Sequence, residues 1–220
     1  MFKNRVDAGK KLASLLLAYS SEKCIIYGLP RGGVPVAFEV AMALNKPLDI
    51  IIVKKIGAPG EDELALGAVT EGQPPFIYLN LDLMSSLGYR EEALQPLIRK
   101  RINEILLLQR RFRGDKEIRK DSEATAIVVD DGIATGATVK AAVMWLKSIS
   151  QRKIVVAVPV AQESVIEEVA EMADDVVCAQ RVPVLYAVGG YYEDFTQTSN
   201  EEVESLLKKA QNDIMGRPAL

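Results

Sequence analysis

The sequence predicts an α/β fold: a mostly parallel, twisted sheet flanked by helices, with a helical insertion at 74–121. Three observations predict it. Short apolar runs alternate with segments of helical period, an order that right-handed βαβ crossovers turn into a parallel sheet. Glycine and proline punctuate the junctions, as at Gly28, Pro30, Gly132 and Gly136. The 220 residues are 49% hydrophobic and 26% charged, enough for one core, and no repeat or low-complexity tract divides them. A single domain over 1–220 is expected.

The elements follow in order. Residues 3–19 have the spacing of an amphipathic helix, with Val6, Leu12, Leu15, Leu16 and Tyr19 near one face. Lys10-Lys11 precedes the apolar run 12–18, but Asp7 upstream and the helical spacing favour a helix over a signal peptide. Cys24–Tyr27 is a short apolar run stopped by Gly28 and Pro30, hence a buried strand. Gly32-Gly33 then leads into a helix over 34–44, with Pro35 in its first turn where a missing N–H costs little. Leu48–Val53 reads as another buried strand ending at Lys54-Lys55. A Gly/Pro loop (Gly57–Gly60) and a third strand, Leu64–Val69, follow.

Within 74–121, Phe76–Leu79 can form a strand. Residues 90–112 read as a long helix, with Leu94, Leu97, Ile98, Ile105 and Leu108 spaced for burial. The alternation then resumes: strand 126–129, helix 136–148, strand 154–158, helix 163–172, strand 176–178. Residues 182–198 are aromatic and Gly/Pro-rich, and a last helix covers about 200–214.

Composition removes several chemistries. The chain has no histidine, so it has no Ser-His-Asp or Cys-His nucleophile system and no HExxH zinc helix. Two distant cysteines, Cys24 and Cys178, cannot build a Cys-rich zinc site. The net charge of −3 offers no general attraction to nucleic acid or an anionic membrane. No apolar run approaches the ~18 residues that span a bilayer. A cytoplasmic protein with reduced cysteines is expected.

The informative stretch is Ile127–Thr138: an apolar strand, two adjacent acids, a turn of small residues, then a helix. Small side chains at Ala134, Thr135, Gly136, Ala137 and Thr138 let a phosphate approach the backbone. The helix N-terminus and two hydroxyls add donors. Asp130 and Asp131, at the carboxyl end of a strand, could accept hydrogen bonds from a sugar diol. An incidental turn with a solvated acid pair is the plain alternative. A P-loop needs GxxxxGK[ST], which is absent, and dehalogenase-type phosphatases need DxD, whereas these acids are adjacent.

These twelve residues resemble the motif with which type I phosphoribosyltransferases bind 5-phosphoribosyl 1-pyrophosphate (PRPP). Three more segments, LPRGGVPVA (29–37), VKKIGAPGEDELALGAV (53–69) and YAVGGYYEDF (186–195), are similar to a little-characterised branch of that family. The resemblance implies that 134–138 holds the 5′-phosphate, and that Asp130 and Asp131 hold the ribose hydroxyls. It places the pyrophosphate on Arg31 and the Gly32 and Gly33 amides, with Lys54 or Lys55. Mg²⁺ is implied as cofactor, bound mainly through PRPP oxygens and through Asp130 and Asp131. A homodimer acting on a small-molecule acceptor, without nucleic acid or membrane, is also implied.

The sequence departs from relatives in two places. The closing loop of orotate-type members carries Lys-x-His-Gly, which is missing here, so Lys54 and Lys55 also read as solvated lysines at a strand end. Purine-salvage members often place an acid where this chain has Ala134, which argues against hypoxanthine or guanine as acceptor. The resemblance makes the 182–198 segment the candidate for the family's base-binding hood. There Tyr186, Tyr191 and Tyr192 either stack on a planar acceptor or pack a C-terminal subdomain. Nine bases against three acids at 99–120 read as a solvated face, or as Arg110, Arg111 and Arg113 turned toward the diphosphate or a partner subunit. A transferase is the leading expectation. A non-catalytic PRPP- or nucleotide-sensing regulator is the alternative, and a phosphate-ester hydrolase ranks third.

Overall fold

A computed structural model describes residues 1–215. Its centre is a five-stranded, wholly parallel sheet in the order β2-β1-β6-β7-β8. The strands are β1 (Cys24–Gly28), β2 (Leu48–Ile50), β6 (Thr125–Val129), β7 (Lys153–Gln162) and β8 (Asp175–Val182). β1 and β6 are buried at every position, because helices cover both faces of the sheet. The period of two sorts their side chains. Ile26, Ile127, Val129 and Val155 meet α1 (Arg5–Leu15) and α2 (Gly33–Leu44) on one face. Ile25, Tyr27, Val128 and Val156 meet α5 (Ala137–Ser148) and α6 (Glu163–Ala170) on the other. Trp145 lies in this second layer, 3% exposed.

A second, antiparallel sheet comes from β3 (Val53–Ala58), β4 (Glu61–Thr70) and β5 (Phe76–Leu79), in that order. Val53, Ala68 and Tyr78 pack into the layer of α5. Ile56, Leu66 and Val69 pack under α4 (Glu91–Arg113), whose Leu94, Ile98 and Ile105 are buried. α3 (Leu81–Ser86), capped by Asn80, and α7 (Asn200–Met215) are the remaining α-helices among the described residues.

Several expectations need correction. Leu48–Val53 is not one strand: β2 stops at Ile50, and Val53 begins β3 in the other sheet. Lys54 and Lys55 therefore lie inside a strand. The expected loop Gly57–Gly60 is a hairpin turning at Pro59-Gly60, with Gly60 at φ +86°. Within 74–121, Phe76–Leu79 forms β5, the strand that its apolar run allows, ahead of the helices. The first helix ends at Leu15, followed by a short 3-10 turn over Leu17–Tyr19. Val6 and Leu15 point outward while Leu12, Leu16 and Tyr19 are buried.

Candidate active site

The chain leaves β1 for α2 on one face of the sheet and leaves β6 for α5 on the other. β1 and β6 are neighbours, so their connections part and open a crevice beyond the strands' carboxyl ends, where open α/β sheets bind ligands. A cavity of about 690 Å³ occupies this position. Its floor is the Asp130–Gly136 turn together with Thr138. Arg31 and Gly32 come from the loop after β1, and Lys55 from β3. Tyr186, Val188, Phe195, Gln197 and Thr198 come from the 182–198 segment, and Arg5 from α1.

The turn after β6 is pinned from below. Ile133 N donates to Val160 O at 2.9 Å, and Gln162 N donates to Ile133 O at 3.3 Å, joining the turn to the extended end of β7. Gly136 takes φ +74°, a left-handed conformation that favours glycine, and α5 begins immediately after it. No side chain caps α5, so its first N–H groups are free of a side-chain partner where Thr135, Gly136 and Thr138 line the cavity.

The loop after β1 fits closely against the acids. A Cβ at Gly32 would fall 2.0 Å from Asp131 Oδ2, and one at Gly33 would fall 2.7 Å from Val129 O. The two glycines differ in role. Gly32 borders the cavity, whereas Gly33 N donates to Leu29 O at 3.0 Å, closing the turn. The Gly33 amide is therefore not free for a diphosphate, which corrects that part of the expectation.

The two acids have unlike partners. Asp130 Oδ1 accepts from Asp131 N at 2.9 Å. Asp131 Oδ2 is paired with Arg5 Nε at 2.8 Å. Burial drives both carboxyls above the ordinary carboxylate range, furthest for Asp130, where the Asp131 charge adds to it. The Arg5 guanidinium pulls Asp131 back. The Lys55 charge favours ionisation of both acids.

The other expected residues divide. Lys55 lines the cavity and Lys54 does not. Burial pushes the Lys54 amine below its usual range, with Arg101 and Arg31 acting the same way against Glu104. Tyr186 borders the cavity and is 95% exposed. Tyr192 is not a ligand surface: it is 5% exposed, stacks between Phe2 and Phe195, and donates its hydroxyl to Asp131 O at 2.6 Å. Tyr191 belongs to the same packed cluster, outside the cavity lining.

Arg110, Arg111 and Arg113 do not line the cavity. Arg113 is buried against Glu71 and Asp49, and Arg111 pairs with Glu201 and Glu204 of α7. Sequence reasoning missed Arg5, which lies 126 positions from its partner Asp131. No local pattern marks it; only the folded chain brings α1 to the turn after β6.

The phosphoribosyl transferase domain model matches residues 2–196. The chain belongs to that family. Two Mycobacterium tuberculosis proteins, from strains CDC 1551 / Oshkosh and H37Rv, each carry the name "Putative phosphoribosyl transferase". Each is 40% identical over 214 residues, which is 97% of this chain and 48% of the relative. The chain thus spans about half the length of these curated relatives. The crystal structure of TT1426 from Thermus thermophilus superposes with a TM-score of 0.76 at 37% identity, covering 95% of this chain and 98% of that one. The phosphoribosyl transferase fold is therefore present with its acids, small-residue turn and glycine loop gathered on one cavity. Among the described residues no helix is long and apolar enough to cross a membrane.

Proposed function

We propose that this phosphoribosyl transferase domain moves the phosphoribosyl group of PRPP to a nitrogenous acceptor and releases pyrophosphate. One observation carries the reading: two adjacent carboxylates, an uncapped helix N-terminus and a cationic loop line one cavity at the switch point of a parallel sheet. The 5′-phosphate would sit on the 134–138 turn, bonded by backbone N–H groups and the hydroxyls of Thr135 and Thr138. Asp130 and Asp131 would accept from the ribose hydroxyls. Arg31, Lys55 and the backbone at Gly32 would receive the pyrophosphate.

In the reaction the bond from C1′ to the diphosphate oxygen breaks, and the pyrophosphate leaves with the electron pair. The acceptor nitrogen bonds to C1′, and where it carries a proton that proton passes to the departing pyrophosphate or to solvent. C1′ becomes cationic on the way, so the nearby carboxylates and the stabilised leaving group lower the barrier. No imidazole is required. Asp130 and Asp131 are the carboxylates on the cavity, and no cluster of three His, Cys, Asp or Glu ligands occurs among the described residues. That set suits Mg²⁺, which keeps several waters and binds through one or two carboxylates plus substrate oxygens. When bound, it would neutralise charge on the leaving group. A cytoplasmic homodimer belongs to the same reading.

A second reading is favoured by the β3–β4 hairpin. Residues expected to close over the diphosphate are tied into antiparallel pairs, from Val53↔Thr70 to Ile56↔Gly67. A chain that binds PRPP or a nucleotide without turnover would suit such a fixed element. The deciding measurement is pyrophosphate release from PRPP and Mg²⁺ over a panel of purine, pyrimidine and nicotinate-like acceptors. The transferase reading expects acceptor-dependent release that Asp131→Asn lowers at least about a hundredfold. Binding without release from any acceptor would establish the sensor instead. Acceptor-independent loss of the 5′-phosphate would indicate a hydrolase.

A further inference from the structure

Helix α1 sends one side chain into the cavity, and the transfer chemistry gives it no role. We propose that Arg5 is a positioning residue for Asp131, which makes the N-terminal arm and the 182–198 segment a single wall of the ribose site. The ligand named here rests on the phosphoribosyl reading.

The Arg5 head is held on three sides. Its Nε donates to Asp131 Oδ2 at 2.8 Å, and its Nη1 donates to Thr196 O at 2.8 Å. Its guanidinium carbon lies 3.8 Å from the centroid of the Phe195 ring. A planar fork fixed on one face and along two edges has a single orientation. It engages Asp131 through Oδ2, so the acid meets a ribose hydroxyl through Oδ1. Stacking on an aromatic face also withdraws the guanidinium from water, which strengthens its pull on the acid.

The root of Arg5 is placed by the segment that holds its head. Phe2 N donates to Tyr191 O at 2.8 Å, Glu193 N to Phe2 O at 2.8 Å, and Asp194 N to Lys3 O at 2.9 Å. Phe2 is 4% exposed, and its ring lies 5.4 Å from that of Tyr192. Tyr192 in turn donates to the Asp131 carbonyl. Arm, 191–196 segment and acid therefore form a closed circuit, with Arg5 as the link that reaches the ligand-binding carboxylate. A purely structural clip would have no reason to end on that carboxylate.

The test uses wild type, Arg5→Gln and Arg5→Lys. PRPP with Mg²⁺ is titrated calorimetrically into each, and hydrogen exchange at the Glu193 and Asp194 amides is followed without ligand. Arg5→Gln is expected to weaken PRPP about tenfold, the share of one charge-assisted hydrogen bond. Arg5→Lys, which keeps the charge but cannot stack and fork together, should recover part of that loss. The two amides should exchange faster in Arg5→Gln than in Arg5→Lys. Equal PRPP affinity in all three proteins overturns the proposal, as does an equal loss in both variants. If Arg5→Gln fails to fold, Arg5→Lys carries the test: wild-type PRPP affinity there overturns it, and an intermediate loss supports it. A wild type that binds no PRPP brings down the phosphoribosyl reading and the ligand named here. Exchange unchanged by Arg5→Gln would then overturn the clamp too, whereas faster exchange rescued by lysine would retain it.

Discussion

Asp130 and Asp131 are consecutive, yet one has a guanidinium against it and the other has only a backbone N–H. The cost of burial falls mainly on Asp130. An unfolded aspartate ionises near 3.8, while the folded Asp130 holds its proton to higher pH. Above 3.8 the native state thus binds more protons than the unfolded chain, and stability falls as pH rises through that window. Asparagine keeps the Oδ1 acceptor without the charge. Asp130→Asn should therefore melt above wild type at neutral pH, with the gap narrowing as pH approaches 3.8, and should lose PRPP binding. Scanning calorimetry across pH checks it; a gap of constant size would mean that Asp130 titrates normally. The acids and the 134–138 turn were legible in the sequence because their chemistry is contiguous: strand, charge and turn fall within twelve residues. Arg5 was not, since nothing near it in the chain hints at a carboxylate 126 positions away.

At the scale of elements, two arginines near the end of α4 form ion pairs with other parts of the fold. Arg113, at the last turn, sits between Asp49 of β2 and Glu71 after β4, with Asp49 Oδ1 3.0 Å from its Nε. Glu71 is 1% exposed and also accepts from Ile52 N at 2.8 Å. The ion pairs thus tie the two sheets where the chain passes from one to the other. Arg113→Met would leave two carboxylates without their cation, at a cost of about 3–5 kcal/mol. Arg111→Ala, which loses an exposed clasp to α7, should change stability far less. Urea unfolding of the two variants compares them, and equal midpoints would refute the assignment. Charge counting could find the basic stretch but not its partners, because Asp49 and Glu71 look like ordinary surface acids until the strands are placed. The same blindness joined β2 to β3: Leu48–Val53 is apolar apart from Asp49, and nothing in that run shows that the chain changes sheet after Ile50.

For the molecule as a whole, the parallel sheet was predictable because its strands are apolar and separated by helical periods, although β7 and β8 run well past the expected 154–158 and 176–178. The three-stranded sheet was harder to see, since its hairpin wears the Gly/Pro texture of a loop. The cavity draws residues from α1, both strand-end loops, β3 and the 182–198 segment, so occupancy and folding are linked across most of the chain. PRPP at about one hundred times its Kd should stabilise the native state by about 2.7 kcal/mol. For a chain of this size that raises Tm by about 5–10 °C. A shift in the presence of Mg²⁺ that disappears in Asp131→Asn is the expected result of differential scanning fluorimetry.

The strand order has a consequence in time. Cys24 of β1 pairs with Thr125 of β6, about a hundred positions further along the chain, and β6 is the middle strand of the sheet. During synthesis, β1 and β2 therefore wait with one edge of β1 unsatisfied until about a hundred further residues have emerged. That open edge is where a nascent chain of this topology is most exposed to aggregation and most in need of a chaperone.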